Sequence, residues 1–148
     1  MATIHIKHED HYLIVSVSGE LTAQEMTEFV YDCFSGVSTK DIIWDLTDAT
    51  AILASHADMK RLALAVEDVL TKENQKCSKC AFVGDTAAKL NFLRMYSILA
   101  DLYITRRKHV VFDSFDDARE WISSDKGAVQ APSASEHNTW WLSAKDMA

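Results

Sequence analysis

One serine stands where the chain changes from a strand pattern to a helical pattern. Ser55 is followed three positions later by Asp58, an arrangement in which the serine accepts a backbone amide of the helix and the carboxylate reaches back to cap it. A phosphate at such a helix start would meet free amides and a favourable dipole. Ser55 therefore lies where a bound phosphate would be stabilised. In the alternative interpretation Ser55 is only an N-cap, which stabilises a helix by roughly 1 kcal/mol.

Two cysteines have the spacing of a zinc or redox motif. Two residues separate Cys77 from Cys80, but a zinc site needs a second pair of ligands, and Cys33 lies on another predicted element. A redox pair of this kind stands at a helix start, where the dipole lowers the thiol pKa, whereas this pair precedes a predicted strand. We expect one loop cysteine and one core cysteine, with metal or redox chemistry as the alternative.

Aspartates and histidines are the other residues whose types suggest acid–base or metal chemistry. Asp45, Asp48 and Asp58 surround the end of the third predicted strand, where paired carboxylates could act on a proton or hold a cation. Asp58 also fits a cap and Asp48 a turn, and no nucleophile elbow accompanies them. His5 and His8 would point to opposite sides of a strand. We predict no catalytic residue, no metal site and no cofactor.

A short basic run precedes the last predicted strand. Arg106, Arg107 and Lys108, with Lys89 and Arg94 on the helix before them, could form a small basic patch for an anionic group or an acidic partner. In the alternative interpretation the run is a solvated connection that complements the end of a helix.

Composition excludes several classes of function. The chain has 148 residues and a formal net charge of −7, so a nucleic-acid surface is not expected, because it needs clustered positive charge. The four glycines are far apart, so the chain contains neither a phosphate-binding glycine loop nor a dinucleotide fingerprint. No apolar run reaches the roughly 20 residues that span a bilayer. Three cysteines and the lack of a signal peptide favour the cytoplasm.

Alternating and helical patterns predict the elements that would position these residues. Residues 3–8 and 12–18 alternate as the two strands of an antiparallel hairpin, which Gly19 ends. Residues 41–46 are predicted to be a short buried strand. Thr22 with Glu25 and Ser114 with Asp117 form two further capping boxes, and Asp85 is expected to cap the third helix. That helix is predicted to bury one face, whose members are Ala88, Phe92, Met95, Leu99 and Leu102.

The element order defines the predicted fold class. The pattern is ββαβαβαβα, which predicts an α/β domain with a mixed, mainly parallel sheet of five strands and about four helices. This domain covers residues 1–123. Residues 124–148 show no period and are predicted to be a tail, extended or docking through Trp140 and Trp141, either on its own domain or on a second subunit of a homodimer.

Three segments carry a resemblance to a known family. Residues 42–50 (IIWDLTDAT) resemble the STAS-domain strand that ends in a DLT or DLS turn. Residues 94–96 (RMY) also resemble this group, and residues 111–122 (VFDSFDDAREWI) are similar to its pattern VF-x-x-x-DEA-x-x-WL. Over about residues 3–123 the chain resembles the STAS domain of bacterial anti-sigma-factor antagonists. It most resembles the small stand-alone STAS-like proteins grouped with the CRAL-TRIO lipid-transfer fold.

The resemblance implies a function. In signalling STAS proteins a D-S-S-G loop precedes a helix, and its second serine is phosphorylated by an anti-sigma kinase. Those positions fall here on Leu53, Ala54, Ser55 and His56, so only the phospho-acceptor is kept. The resemblance implies a non-enzymatic regulatory module that binds a protein partner through the loop 46–56 and the start of the following helix. It makes Ser55 the candidate phospho-acceptor and partner contact. The other predicted contacts of this partner loop are Asp48, Thr50, His56 and Asp58. The alternative, implied by the CRAL-TRIO relationship, is a carrier of a small apolar ligand or lipid in a cavity of a few hundred Å³.

Overall fold

Five strands and four helices follow one another in the predicted order. The computed structural model describes residues 2–33, 41–72, 78–104 and 107–124. The elements are β1 (Thr3–His8), β2 (Tyr12–Thr22), α1 (Ala23–Cys33), β3 (Asp41–Leu53), α2 (His56–Lys72), β4 (Ser78–Val83), α3 (Ala87–Tyr103), β5 (Arg107–Phe112) and α4 (Phe115–Ser123). The α/β fold class is therefore confirmed.

The strands form one mixed sheet in sequence order. β1 and β2 pair antiparallel as the predicted hairpin, and β2, β3, β4 and β5 pair parallel. The order β1-β2-β3-β4-β5 follows from consecutive strand–helix–strand units, each of which adds the next parallel strand beside the last. All the carboxyl ends of the parallel strands therefore meet at one edge of the sheet, where the loops to the helices begin.

Each face of the sheet carries its own core. Val15, Trp44 and Phe82 pack with buried residues of α1, α2 and α3 in the larger core. Ile43 and Ala81 pack with α4 in the smaller one. Successive strand residues point to opposite faces, so the nearly continuous apolar pattern of β3 and β4 reflects helices on both sides. Phe29 of α1 meets the Trp44 ring edge-on, with ring centroids 5.3 Å apart.

The second and third strands are longer than the sequence pattern indicated. Gly19 does not end β2. It has φ 84° and lies at one of two register shifts in the β2–β3 ladder. At both shifts β3 has one residue more than β2, so the bulge is in β3, and β2 continues past Gly19 to Thr22. β3 likewise runs to Leu53 instead of ending near Leu46.

The buried face of α3 also differs from the prediction. Its buried residues are Lys89, Leu93, Tyr96, Ser97 and Ala100. Of the predicted face, Met95 and Leu102 are exposed, because the helix is apolar on more than one side and period alone cannot choose between the sides. The cap is also different: Thr86, not Asp85, accepts the amide of Lys89.

Several predicted features lie outside the described residues. They are Cys77, Arg106 and the tail from residue 125 with Trp140 and Trp141. Among the helices of the described ranges, none combines the length and the apolar character that crossing a bilayer requires.

Candidate functional site

The segment expected to be a partner loop is for the most part a strand. Sequence analysis placed a loop at 46–56, but residues up to Leu53 continue β3, paired with β2 from Ser18 opposite Asp48 to Thr22 opposite Leu53. Pairing of β3 with β4 ends earlier, at Asp45 opposite Val83. The outer half of β3 therefore has a strand neighbour on one side only. The prediction failed because the polar residues in this stretch look like a loop, whereas they are the exposed side of an extended ladder.

A buried lysine occupies the open side of this outer half of β3. The ammonium of Lys89 donates to the carbonyl oxygens of Leu46 (3.0 Å), Thr47 (3.0 Å) and Ala49 (2.9 Å). These carbonyls have no β4 partner, and a buried acceptor without a donor would be costly. Lys89 thus replaces the missing strand edge and ties β3 to the first turn of α3.

The approach of α3 to the sheet makes this contact possible. A β-carbon at Gly84 would lie 3.1 Å from the Leu93 side chain and 3.4 Å from the Lys89 side chain, so a larger residue there would push the helix away. Lys89 also pairs with Asp85 at 2.6 Å. That hydrogen bond lowers the pKa of the Asp85 carboxyl below its usual value. Lys89 is therefore not part of the basic patch considered from the sequence.

The capping box at the start of α2 is formed as predicted. The amide of Asp58 donates to Ser55 Oγ at 3.1 Å, and the amide of Ser55 donates to Asp58 Oδ2 at 2.9 Å. The bond from the Ser55 amide, and then the Ser55 hydroxyl, hold the pKa of the Asp58 carboxyl below its usual value, and the contact of Asp58 with the Arg61 guanidinium adds to the effect. The carboxylate therefore stays charged beside the serine at neutral pH.

Most of the predicted contact residues are exposed. Asp48 and Thr50 are exposed on the outer half of β3, with buried Ala49 between them, and Ser55 and His56 are exposed at the start of α2. Leu53, which sequence analysis named only as a departure from the family pattern, is 49% exposed. We call Asp48, Thr50, Leu53, Ser55 and His56 the Ser55 surface. Of the other capping residues, Thr22 and Ser114 are half-buried, whereas Thr86 at the start of α3 is exposed, as Ser55 is.

The aspartates considered for acid–base chemistry have local partners. Asp45 Oδ1 accepts the amide of Thr47 at 3.1 Å and its hydroxyl at 2.8 Å, while Asp58 serves the cap. Across the ranges 2–33, 41–72, 78–104 and 107–124, no three His, Cys, Asp or Glu side chains are grouped so that they could hold a metal ion. Cys80 lies in the core as predicted, and burial raises the pKa of its thiol to about 11.

A small cavity lies between the sheet and the helices. Its volume is about 40 Å³, and its walls are mainly apolar, whereas pockets that enclose drug-sized ligands measure roughly 300–1,000 Å³. Three polar side chains also line it: Tyr96, Arg107 and His109. His109 Nδ1 lies 3.1 Å from Asp101 Oδ1, and the ring stacks on Phe82. A cavity of this size does not favour the lipid-carrier alternative.

The burial of Arg107 is a feature that sequence reasoning missed. It was interpreted as part of a charged surface run, but it starts β5 and is buried. Neighbouring Lys108 is half-buried. In the sequence, only the alternation of strand residues could have indicated that Arg107 is buried, and a run of three basic residues hides that alternation.

Comparison with known proteins identifies the family. A model of the family described as SpoIIAA-like matches residues 12–123, most of the chain. The chain belongs to the SpoIIAA-like family. No curated protein matches it in sequence.

Several solved structures are similar to the chain at low sequence identity. An anti-sigma factor antagonist from Mycobacterium paratuberculosis is similar with a TM-score of 0.55 and 16% identity, over 84% of this chain and 96% of that one. An uncharacterized DUF3478-family protein with a SpoIIAA-like fold, from Shewanella loihica PV-4, has a TM-score of 0.49 and 16% identity over 82% and 93%. The phosphorylated Bacillus cell fate determinant SpoIIAA has a TM-score of 0.46 and 13% identity over 80% and 97%. The expected STAS-like fold is confirmed, and it is a fold on which anti-sigma factor antagonists are built.

Proposed function

We propose that this SpoIIAA-like protein is a non-enzymatic regulatory module that binds a protein partner through the Ser55 surface, and that phosphorylation of Ser55 controls the binding. The observation that carries the proposal is the exposed Ser55 hydroxyl at the first turn of α2, directly after the outer half of β3. An exposed leucine beside a phosphorylatable serine combines the apolar contact and the charge-sensitive contact that a regulated interface needs.

The structural support of this surface is rigid. Lys89 fixes the backbone of β3 at residues 46–49, and the capping box fixes the first turn of α2. A surface held in one arrangement loses little conformational entropy when a partner binds. The Ser55 surface is therefore suited to recognition without a large rearrangement.

Phosphate on Ser55 would change the capping box directly. It adds about −1.5 to −2 charge at pH 7, and the Asp58 carboxylate that bonds the Ser55 amide is also negative. Repulsion would displace that carboxylate, while the helix amides and dipole favour the phosphate. Arg61, now paired with Asp58, would be released to pair with the phosphate. Phosphorylation therefore alters both the charge and the shape of the surface.

The experiment is phosphorylation of the purified full chain by ATP and a kinase-containing extract of its native host. Intact mass and peptide mapping are read for wild type and for Ser55→Asn, because asparagine keeps the cap but has no hydroxyl. We expect one added phosphate, on Ser55, and none on the variant. Ser114, a helix cap of the same type in the same chain, is the internal control. No phosphate on Ser55, or equal labelling of Ser114, would contradict control by phosphorylation.

A further inference from the structure

An apolar stripe lies on the outer side of α3, away from the Ser55 surface. Met95, Ile98 and Leu102 are 41%, 43% and 70% exposed. Their spacing of three and four residues places them on one side of the helix, and over seven residues they cover a length of roughly 10 Å. We call these three residues the α3 stripe. Single exposed apolar residues are ordinary, but an aligned row of three is typical of a contact surface.

The described chain ends at the same end of the sheet as the carboxyl end of α3, but on the opposite face, which α4 covers. The ammonium of Lys79 donates to the backbone carbonyls of Trp121 and Ser124 at the end of α4. Lys79 is opposite Lys108 at the start of β5, and β5 follows closely after α3 ends at Tyr103. Ser124 and Leu102 therefore lie towards the same end of the sheet, the end where the parallel strands begin.

The segment that follows Ser124 contains a matching apolar group. Trp140, Trp141 and Leu142 are consecutive, and the 15 residues 125–139 separate them from Ser124. Fifteen residues reach up to ~50 Å when extended and average about 22 Å as a flexible chain. The path from the end of α4 round the sheet to the outer side of α3 crosses about two layers of roughly 10 Å each, so a linker of this reach allows the contact without constraining it.

We propose that Trp140, Trp141 and Leu142 dock on the α3 stripe of the same chain. A linker of this length gives the tail an effective concentration of the order of 1 mM near its own domain. At micromolar protein concentration the same contact between two copies is therefore disfavoured by about a hundredfold or more. Docking would bury two large aromatic side chains and the most exposed leucine among the described residues together.

Acrylamide quenching of tryptophan fluorescence in the full chain tests the proposal. Trp44 and Trp121 are buried. The quenching therefore reports whether Trp140 and Trp141 are accessible, which depends on docking. We expect weak quenching in wild type and strong quenching in Leu102→Asp, because a buried carboxylate opposes docking and lowers the ratio of docked to free tail by at least about tenfold. Tyr31→Asp on α1 is the matched control, since Tyr31 is 49% exposed, and it should leave the quenching unchanged.

Further measurements keep the result interpretable. Urea unfolding checks that Leu102→Asp remains folded, and a Leu102→Asp variant that also carries Trp140→Phe and Trp141→Phe should lose the added quenching. Equal strong quenching in wild type and Leu102→Asp would overturn the proposal. The proposal would also be overturned if the quenching became strong on dilution and sedimentation showed a dimer, because the tail would then dock on a second copy. Docking on a site other than the α3 stripe would appear as weak quenching in both proteins and would also overturn it.

Discussion

Replacement of Lys89 by methionine tests how the outer half of β3 is held. Methionine has about the length of lysine and fills the same space, but it cannot donate a hydrogen bond. The carbonyls of Leu46, Thr47 and Ala49 would lose their donor. Asp85 would lose its partner as well, but its side chain is half exposed and regains water. The perturbation therefore acts mainly on the backbone of β3.

The expected loss of stability follows from those three contacts. Hydrogen bonds that involve a charged group contribute roughly 1.5–3 kcal/mol each. Water entering at the open side of β3 would recover part of this sum, and the loss of a buried charge would recover more. We expect the free energy of unfolding to fall by about 3 kcal/mol, comparable to breaking a buried ion pair. A domain with roughly 5–15 kcal/mol of stability would remain folded.

Urea unfolding and amide hydrogen exchange measure this effect. Exchange should accelerate at residues 46–53 in Lys89→Met while β4 and β5 keep their protection, since their hydrogen bonds to each other do not involve Lys89. Lys60→Met is the control, because Lys60 is exposed and its ammonium lies 5.7 Å from the centroid of the Tyr103 ring, away from the β3 carbonyls that Lys89 binds. A loss below about 1 kcal/mol with unchanged exchange at 46–53 would refute the role given to Lys89.

Three further predictions concern single side chains. Ser55→Ala should lower the free energy of unfolding by about 1 kcal/mol and Ser55→Asn by only a few tenths; equal losses in urea unfolding would argue against the cap. The pKa of Asp58 is lowered in the fold, so its contribution is complete above the usual value near 3.8 and is lost as pH falls through the lower folded pKa. Stability measured from pH 7 to pH 2.5 should fall less steeply in Asp58→Asn, and identical slopes would contradict the capping bond. With Cys33 and Cys77 replaced by serine, folded protein should resist a thiol reagent at pH 8, because a pKa of about 11 leaves about one thiolate in a thousand; rapid labelling without urea would contradict the burial of Cys80.

Local patterns were sufficient to predict the architecture. The alternation of β1 and β2 predicted the hairpin, and the capping boxes at Thr22, Ser55 and Ser114 predicted three helix starts that the structure confirms. These signals are local because a cap bonds residues three positions apart. The fold class and the position of Ser55 at a helix start could therefore be predicted from the sequence.

Long-range contacts decided what the sequence could not show. β3 extends to Leu53 because β2 continues past Gly19 beside it, with one additional residue in β3 at each register shift, which no pattern within β3 reveals. Lys89 looks like a surface residue on an amphipathic helix, but its partners are about 40 positions earlier in the chain. The support of the Ser55 surface was therefore invisible to sequence reasoning, although most of its exposed residues were predicted.

A quantitative pull-down from the native host tests most directly whether the Ser55 surface binds a partner. The baits are wild type, Leu53→Asp and Tyr31→Asp; Leu53 and Tyr31 are equally exposed, at 49% each, but only Leu53 belongs to the Ser55 surface. We expect one partner protein to be enriched on wild type and on Tyr31→Asp, and its capture to be reduced by about tenfold or more on Leu53→Asp. The reason is that placing a charge in an apolar contact costs at least the binding free energy to which a tenfold loss of affinity corresponds. Equal capture by all three baits would contradict the account.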